Sequence, residues 1–286
     1  MADSHFYTSL DGLKLHIRQW GTGSDLLPIV CLPGLTRNHM DFDSIAQRLS
    51  TKRQVIAFDY RGRGLSQRDP DWTHYDLLVE NADILKGLAE LQITQAIILG
   101  TSRGGLHAML FTLTQPALLR GVILNDIGPV IEPEGLKRIR AYVGKYEQPK
   151  TWDEAIAAAK RAMGSQFTNI SEEDWRAYVQ ATFTQTDGAI ELSYDPALSK
   201  GLEALNLDAP LPSLWPQFGA LAGVPVMCIR GETSYLLSEE TVTQMAAQHP
   251  NFTRVDVPGQ GHAPLLRDES TQAAIEKFIA LIDTAP

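Results

Sequence analysis

The amino-acid sequence predicts an α/β fold: a mostly parallel, twisted sheet with helices on both faces and an all-helical insertion late in the chain. Three observations carry that reading. Short runs rich in Val and Ile recur through the first half and again near the C-terminus, helix-period stretches separate them, and between Pro129 and Pro216 the runs stop. Apolar runs of one strand's length, closed by Gly, Pro or Asp, are how strands buried on both faces read. Their alternation with helices implies an open sheet covered on both sides.

The elements follow in order. Phe6–Leu10 and Leu13–Trp20 flank Asp11-Gly12, a strong short-range hairpin signal. The buried strands are expected at Pro28–Leu32, Val55–Asp59, Ala96–Leu99, Gly121–Asn125, Pro225–Ile229 and Thr253–Val257. Leu77, Leu78, Ile84, Leu85, Leu88 and Leu91 recur at helical spacing, and Ala274, Ile275, Phe278, Ile279 and Ile282 form a second apolar stripe. A helix over Gly104–Gln115 stops before Pro116. In the insertion, Thr151-Trp-Asp-Glu154 reads as a capping box and Ser171-Glu-Glu-Asp174 as a close relative. Pro196, Pro210, Pro212 and Pro216 punctuate the return to the sheet. The expected division is a core of 1–128 and 217–286 with a helical cap at 129–216.

Composition narrows the function. The 286 residues, 44% hydrophobic and 21% charged, suit one large globular domain or a core with an insertion. A net charge of −9 without a compensating basic block argues against nucleic-acid and anionic-membrane partners. No apolar run approaches the roughly 18 residues of a membrane span, and Met1–Leu10 lacks the features of a secretory signal. The expectation is a cytoplasmic protein, monomer or homodimer, with a small-molecule partner. Cys31 and Cys228, each inside an apolar run, read as reduced core thiols. Neither a dinucleotide-binding nor a phosphate-loop glycine pattern occurs, and the His and Cys positions show no metal spacing, so no cofactor or metal is expected.

The most specific chemical signal is Gly100-Thr101-Ser102-Arg103-Gly104, a G-x-S-x-G stretch preceded by an apolar strand and followed by a helix of small residues. Such a turn is too sharp for side chains at the flanking positions, so Gly100 and Gly104 leave room for Ser102 in a strained conformation at a helix N-terminus. A serine hydroxyl is a weak nucleophile near neutral pH and needs an adjacent base.

With this elbow, three further stretches make the chain resemble the α/β-hydrolase superfamily over nearly its whole length. They are Cys31-Leu32-Pro33-Gly34-Leu35-Thr36, similar to the family's oxyanion loop, Asp59-Tyr60-Arg61-Gly62-Arg63-Gly64-Leu65-Ser66, and Gly259-Gln260-Gly261-His262. The resemblance implies the serine-acid-histidine order, with His262 as base. Of the other histidines, His5, His16, His74 and His249 lack such a setting and are expected at the surface. His39 lies nearer the motifs, and His107 is expected as a packed helix residue.

The acid departs from the family's commoner pattern. After the penultimate strand, where an Asp is expected, stands Tyr235, which cannot serve as a buried anion near neutral pH. Asp126, at the end of the strand after the elbow helix, is the preferred acid, because some family members take theirs from this strand end. Glu232, early on the usual loop, is the alternative. Asp126 also reads as a helix cap, and Tyr235 as the mark of a weakened triad. The acid accepts the imidazole Nδ1–H and stabilises the imidazolium.

The resemblance also implies an oxyanion hole made by the backbone N–H groups of Leu35 and Arg103. The Arg103 side chain reads either as a ligand for a substrate carboxylate or as the partner of a buried acid. Tyr142, Trp215 and Tyr235 are pocket candidates, with Phe218 beside them; Tyr142, Trp215 and Phe218 also read as core. Lys137, Arg138 and Arg140 read first as a solvated helix face and second as a lure for an acidic substrate. The expected activity is that of a serine hydrolase cleaving small carboxylic esters or lactones through an acyl-enzyme. The alternatives are carbon–carbon hydrolysis of a vinylogous keto acid, and a ligand-binding protein with little turnover. Ser102 at the nucleophile position argues against the dehalogenase and epoxide-hydrolase branches, which require Asp there.

Overall fold

The computed structural model describes residues 2–284. In chain order the elements are β1 (Ala2–Thr8), β2 (Lys14–Trp20), β3 (Ile29–Leu32), α1 (Asp43–Leu49), β4 (Val55–Asp59), α2 (Leu77–Glu90), β5 (Ala96–Thr101), α3 (Arg103–Thr114) and β6 (Leu119–Asn125). Then come α4 (Pro133–Tyr142), α5 (Trp152–Met163), α6 (Glu172–Thr182), β7 (Phe183–Thr186), β8 (Ala189–Leu192), α7 (Leu198–Ala204) and α8 (Trp215–Gly219). The chain closes with β9 (Val226–Gly231), α9 (Glu239–Gln248), β10 (Phe252–Val257) and α10 (Glu269–Asp283).

Eight strands form one sheet in the order β1-β2-β4-β3-β5-β6-β9-β10. Only β2 runs antiparallel to its neighbours; every other pairing is parallel. Successive side chains of a strand point to opposite faces, and the cores divide accordingly. Val30, Leu32, Ile56 and Phe58 pack with α2, α3 and α9 residues such as Ile84, Phe111 and Met245. Ile29, Cys31, Val55 and Ala57 pack on the other face with Ile45 of α1 and Phe278 and Ile279 of α10. This two-sided burial is why the strands read as continuous apolar runs. Cys31 and Cys228 are both buried and unpaired, as expected.

The segment between β6 and β9 has its own small core, in which Ala155, Ala159 and Met163 of α5 meet Trp175 and Val179 of α6. Its two ends are tied together where Leu214 N donates to Pro129 O at 2.8 Å. One local correction applies to the expectation of an all-helical insertion: β7 and β8 form an antiparallel hairpin. Asp187 and Gly188 turn it, with φ of 50° and 85°. Positive φ at both central residues is the primed turn that Asp-Gly favours. The same dipeptide was read as a hairpin at Asp11-Gly12; here the flanking Phe-Thr-Gln-Thr and Ala-Ile-Glu-Leu are too short to announce strands.

The capping boxes also exchange places. Thr151 accepts from Glu154 N, but the Glu154 carboxylate bonds Lys150 N at 2.8 Å and leaves the box half made. Ser171 and Asp174 complete both halves, the shorter carboxylate folding back onto its own cap. No helix among the described residues is long and apolar enough to cross a membrane.

Candidate active site

Ser102 sits between β5 and α3 with φ 50° and ψ −113°, a backbone region that costs a non-glycine residue about 1–3 kcal/mol. The surroundings enforce it. A Cβ on Gly100 would lie 2.4 Å from Gly104 C, and one on Gly104 would lie 2.0 Å from Leu32 O. Ser102 N donates to Asn125 O at 2.9 Å, locking the turn to the end of β6. The sharpness inferred from the two glycines is therefore a consequence of α3 crossing directly over β3 and β5.

His262, after β10, brings Nε2 to 2.9 Å from Ser102 Oγ and Nδ1 to 2.7 Å from Asp126 Oδ2. Asp126 is fully buried at the end of β6, itself with φ 55°. It caps no helix; Glu132 occupies the N-cap position of α4. Its other bonds come from the end of β9 and the loop after it: Gly231 N donates to Oδ1 at 2.8 Å, and Ser234 Oγ donates to Oδ2 at 2.6 Å. The loop after β9, where the family resemblance led an acid to be expected, thus supplies a hydroxyl to Asp126 instead. Sequence reasoning missed Ser234, because a loop serine carries no signal of its own.

The other candidates distribute unevenly. Glu232 accepts from Gly259 N at 2.8 Å, which anchors the turn before His262 rather than the imidazole. Tyr235 packs 5.9 Å from the His262 ring at a 57° tilt, and the Arg138 guanidinium lies 5.0 Å over the Tyr235 ring. A cavity beside Ser102 and His262 is lined by Leu35, Arg37, Tyr142, Met163, Tyr178 and Arg267, among others. It draws on both the sheet loops and the segment between β6 and β9. Trp215 is not among its lining residues; it packs edge-on against Phe218 at 5.7 Å, in the core beneath.

The charges near the cavity are compensated. Arg37 makes a two-pronged pair with Asp41, and Arg267 Nε donates to Asp174 at 2.6 Å. Arg103 does not line the cavity; its Nε donates to the buried Glu80 at 2.6 Å and its Nη2 to Tyr75 O at 3.2 Å. Of the two readings offered for this side chain, the partner of a buried acid holds and the substrate-carboxylate ligand does not. Burial pushes the Tyr142 phenol well above its ordinary range, so it stays neutral and offers a hydroxyl.

Two histidines expected at the surface are buried. His249 Nε2 lies 3.0 Å from Leu221 O. His16 Nδ1 lies 2.8 Å from Asp59 Oδ2, and His39 Nδ1 lies 2.9 Å from the same oxygen. Neither has an apolar helix pattern to signal burial, since His16 belongs to a strand sandwiched in the sheet. Burial alone would raise Asp59, yet the hydrogen bonds of both histidines overcome it and hold the carboxyl at about 2. The spacing of His16, His39 and Asp59 is one a metal ion also finds acceptable, as is that of Asp11, Asp69 and His74. In the first cluster, direct hydrogen bonds already satisfy the facing atoms.

The profile of the alpha/beta hydrolase family matches residues 29–275. The chain belongs to that family. This alpha/beta hydrolase is 32% identical over 272 residues to the 3-hydroxybutyrate-oligomer hydrolase of Cupriavidus necator, spanning 93% of this chain and 92% of that protein. It is 28% identical over 284 residues to the 2-(acetamidomethylene)succinate hydrolase of Mesorhizobium japonicum, spanning 98% and 97% of the two chains. Among solved structures, an alpha/beta hydrolase from Novosphingobium aromaticivorans superposes with a TM-score of 0.92 at 36% identity, covering 98% of each chain.

Proposed function

We propose that this alpha/beta hydrolase is a serine esterase that cleaves small carboxylic esters, including short oligoesters of hydroxy acids, through an acyl-enzyme. The observation that carries the reading is the unbroken line Ser102 Oγ to His262 Nε2 at 2.9 Å and His262 Nδ1 to Asp126 Oδ2 at 2.7 Å. Ser102 attacks the acyl carbonyl while His262 takes its proton. The imidazolium is steadied by Asp126 and then returns the proton to the departing alcohol. The amides of Leu35 and Arg103 hold the oxyanion, and water, activated by His262, releases the acid. In this reading residues 129–216 act as a cap over a core of 1–128 and 217–286.

The ester preference draws on two facts. The arginines lining the cavity carry their own carboxylates, leaving little net charge to welcome a dianionic substrate. The Cupriavidus necator relative is named for an oligoester. The Mesorhizobium japonicum relative favours a second reading, hydrolysis of a substituted succinate. Carbon–carbon hydrolysis of a vinylogous keto acid, an activity the same fold performs, loses the support of Arg103 as a substrate ligand, because that side chain is engaged with Glu80. The ligand-binding reading leaned on a missing acid, and a carboxylate stands behind His262.

The test is turnover of p-nitrophenyl butyrate and of a 3-hydroxybutyrate dimer, beside 2-(acetamidomethylene)succinate. Ester turnover that disappears in Ser102→Ala supports the proposal. Equal rates in both proteins sink it, and turnover of the succinate alone moves the assignment to the second reading.

A further inference from the structure

Behind the Ser102 turn, away from the cavity, lies a polar cluster that the proposed reaction does not use. Its centre is Glu80 of α2, whose side chain is 0% exposed. Glu80 Oε1 accepts from Arg63 Nη1 at 2.7 Å, and Oε2 accepts from Arg103 Nε at 2.6 Å. His107 Nε2 lies 3.3 Å from Oε2. Arg63 reaches onward: its Nε donates to Leu35 O at 2.8 Å and its Nη1 to Arg61 O at 2.7 Å. Tyr60 donates from its hydroxyl to Pro33 O at 3.1 Å, pinning the same loop two residues earlier.

The path Leu35–Arg63–Glu80–Arg103 therefore connects the two residues whose amides would form the oxyanion site. They belong to different segments, the loop after β3 and the first turn of α3, and the backbone between them runs through β4, α2 and β5. Donors of this kind work only if they are fixed before charge develops, and small displacements cost rate. A salt bridge serving stability alone has no need to terminate on the carbonyl of Leu35. Burying one carboxylate with two guanidiniums is also costly unless the geometry is well satisfied. Here Arg63 Nη2 has no hydrogen-bond partner among the described residues. Burial pushes His107 below its ordinary range, so the imidazole adds no charge of its own near neutral pH. Two guanidiniums and one carboxylate then leave the cluster one positive charge in excess.

We propose that Glu80 is a positioning residue that, through Arg63 and Arg103, fixes the two halves of the oxyanion site relative to each other. The role rests on the ester-hydrolase reading above. Glu80→Gln and Arg103→Gln test it with p-nitrophenyl butyrate and with an alkyl trifluoromethyl ketone, which forms a tetrahedral adduct with the serine. The expected result is a fall in kcat of about tenfold or more in each variant, with KM within about twofold. Ketone affinity should fall by the same factor as kcat/KM. A structural cluster would lower the melting temperature and leave kcat and ketone affinity of the folded protein unchanged, and that result overturns the proposal. If Glu80→Gln does not fold, Arg103→Gln decides alone, because it cuts one link and leaves the Arg63–Glu80 pair. Loss of folding in both variants also overturns it. Wild-type protein inert toward the ester, or Ser102→Ala as fast as wild type, removes the ester-hydrolase reading and this proposal with it.

Discussion

Among the described residues are two serine–histidine–aspartate lines, and their geometries are nearly the same. In one, Ser102 Oγ is 2.9 Å from His262 Nε2 and Asp126 Oδ2 is 2.7 Å from Nδ1. In the other, Ser4 Oγ is 3.0 Å from His16 Nε2 and Asp59 Oδ2 is 2.8 Å from Nδ1. What differs is the setting. Ser4 lies within the edge strand β1 and also accepts from Arg18. Asp59 divides its oxygens between His16 and His39 and takes backbone donors from His39 and Leu65 as well. Ser102, in contrast, is forced into an unfavoured turn at the start of a helix, beside a cavity. Hydrogen-bond distances alone do not make a reactive serine. The strained turn and the cavity set the Ser102 line apart.

The largest effect that would break this contrast lies at the acid. Asp126→Asn is expected to lower kcat for p-nitrophenyl butyrate by about 10⁴-fold, because an amide no longer fixes the imidazole tautomer. Ser4→Ala should leave kcat within about twofold; a large loss there would make the β1 line a working site and erase the contrast. Next comes Asp59→Asn, which removes one partner of a buried charged cluster and should cost about 3 kcal/mol of stability in urea titration. Asp59 has its folded carboxyl at about 2, below the model-peptide value of 3.8. Its contribution is therefore complete above about pH 4 and is lost as pH falls toward 2. Wild type should shed about 2 kcal/mol across that window, and Asp59→Asn should lack that slope.

A smaller effect sharpens the comparison from the other side. Ser234→Ala deletes the hydroxyl that donates to Asp126. It should lower kcat about tenfold with little change in KM, in keeping with about 1.5 kcal/mol for a hydrogen bond to a charged group. The smallest change is expected for Glu232→Gln, which touches only the Gly259 amide; kcat within about twofold would confirm that this carboxylate serves the turn. A drop in kcat as deep as that of Asp126→Asn would instead return the acid to the loop after β9.

Much of this was legible in the sequence, for a physical reason that also marks the limit. Strands buried on both faces must be apolar throughout, so Val55–Asp59 coincides with β4 and the other five runs fall within a few residues of their strands. Gly100 and Gly104 are dictated by backbone contact, which leaves a readable trace. Asp126 was reachable through the family resemblance: Tyr235 stands where most members carry the acid, and some members carry it at the end of the strand after the elbow helix. The β7–β8 hairpin, the burial of His16 and His249, and the partners of Arg103 escaped notice. Each depends on which distant segment packs alongside, as with Glu80, which lies 23 residues before Arg103 and reads as an ordinary polar helix position. Polar pairs formed across the fold leave no periodicity behind.

One feature of the Ser102 turn reaches beyond the reaction. At φ 50°, this position would suit a residue without a side chain better than the one it has. A glycine there would relieve the backbone and remove the hydroxyl that the proposed reaction uses, so it should raise the melting temperature and lower ester turnover. On the proposed reading, durability and turnover pull this one position in opposite directions, and a screen for hardiness alone would discard the hydroxyl that the reaction needs.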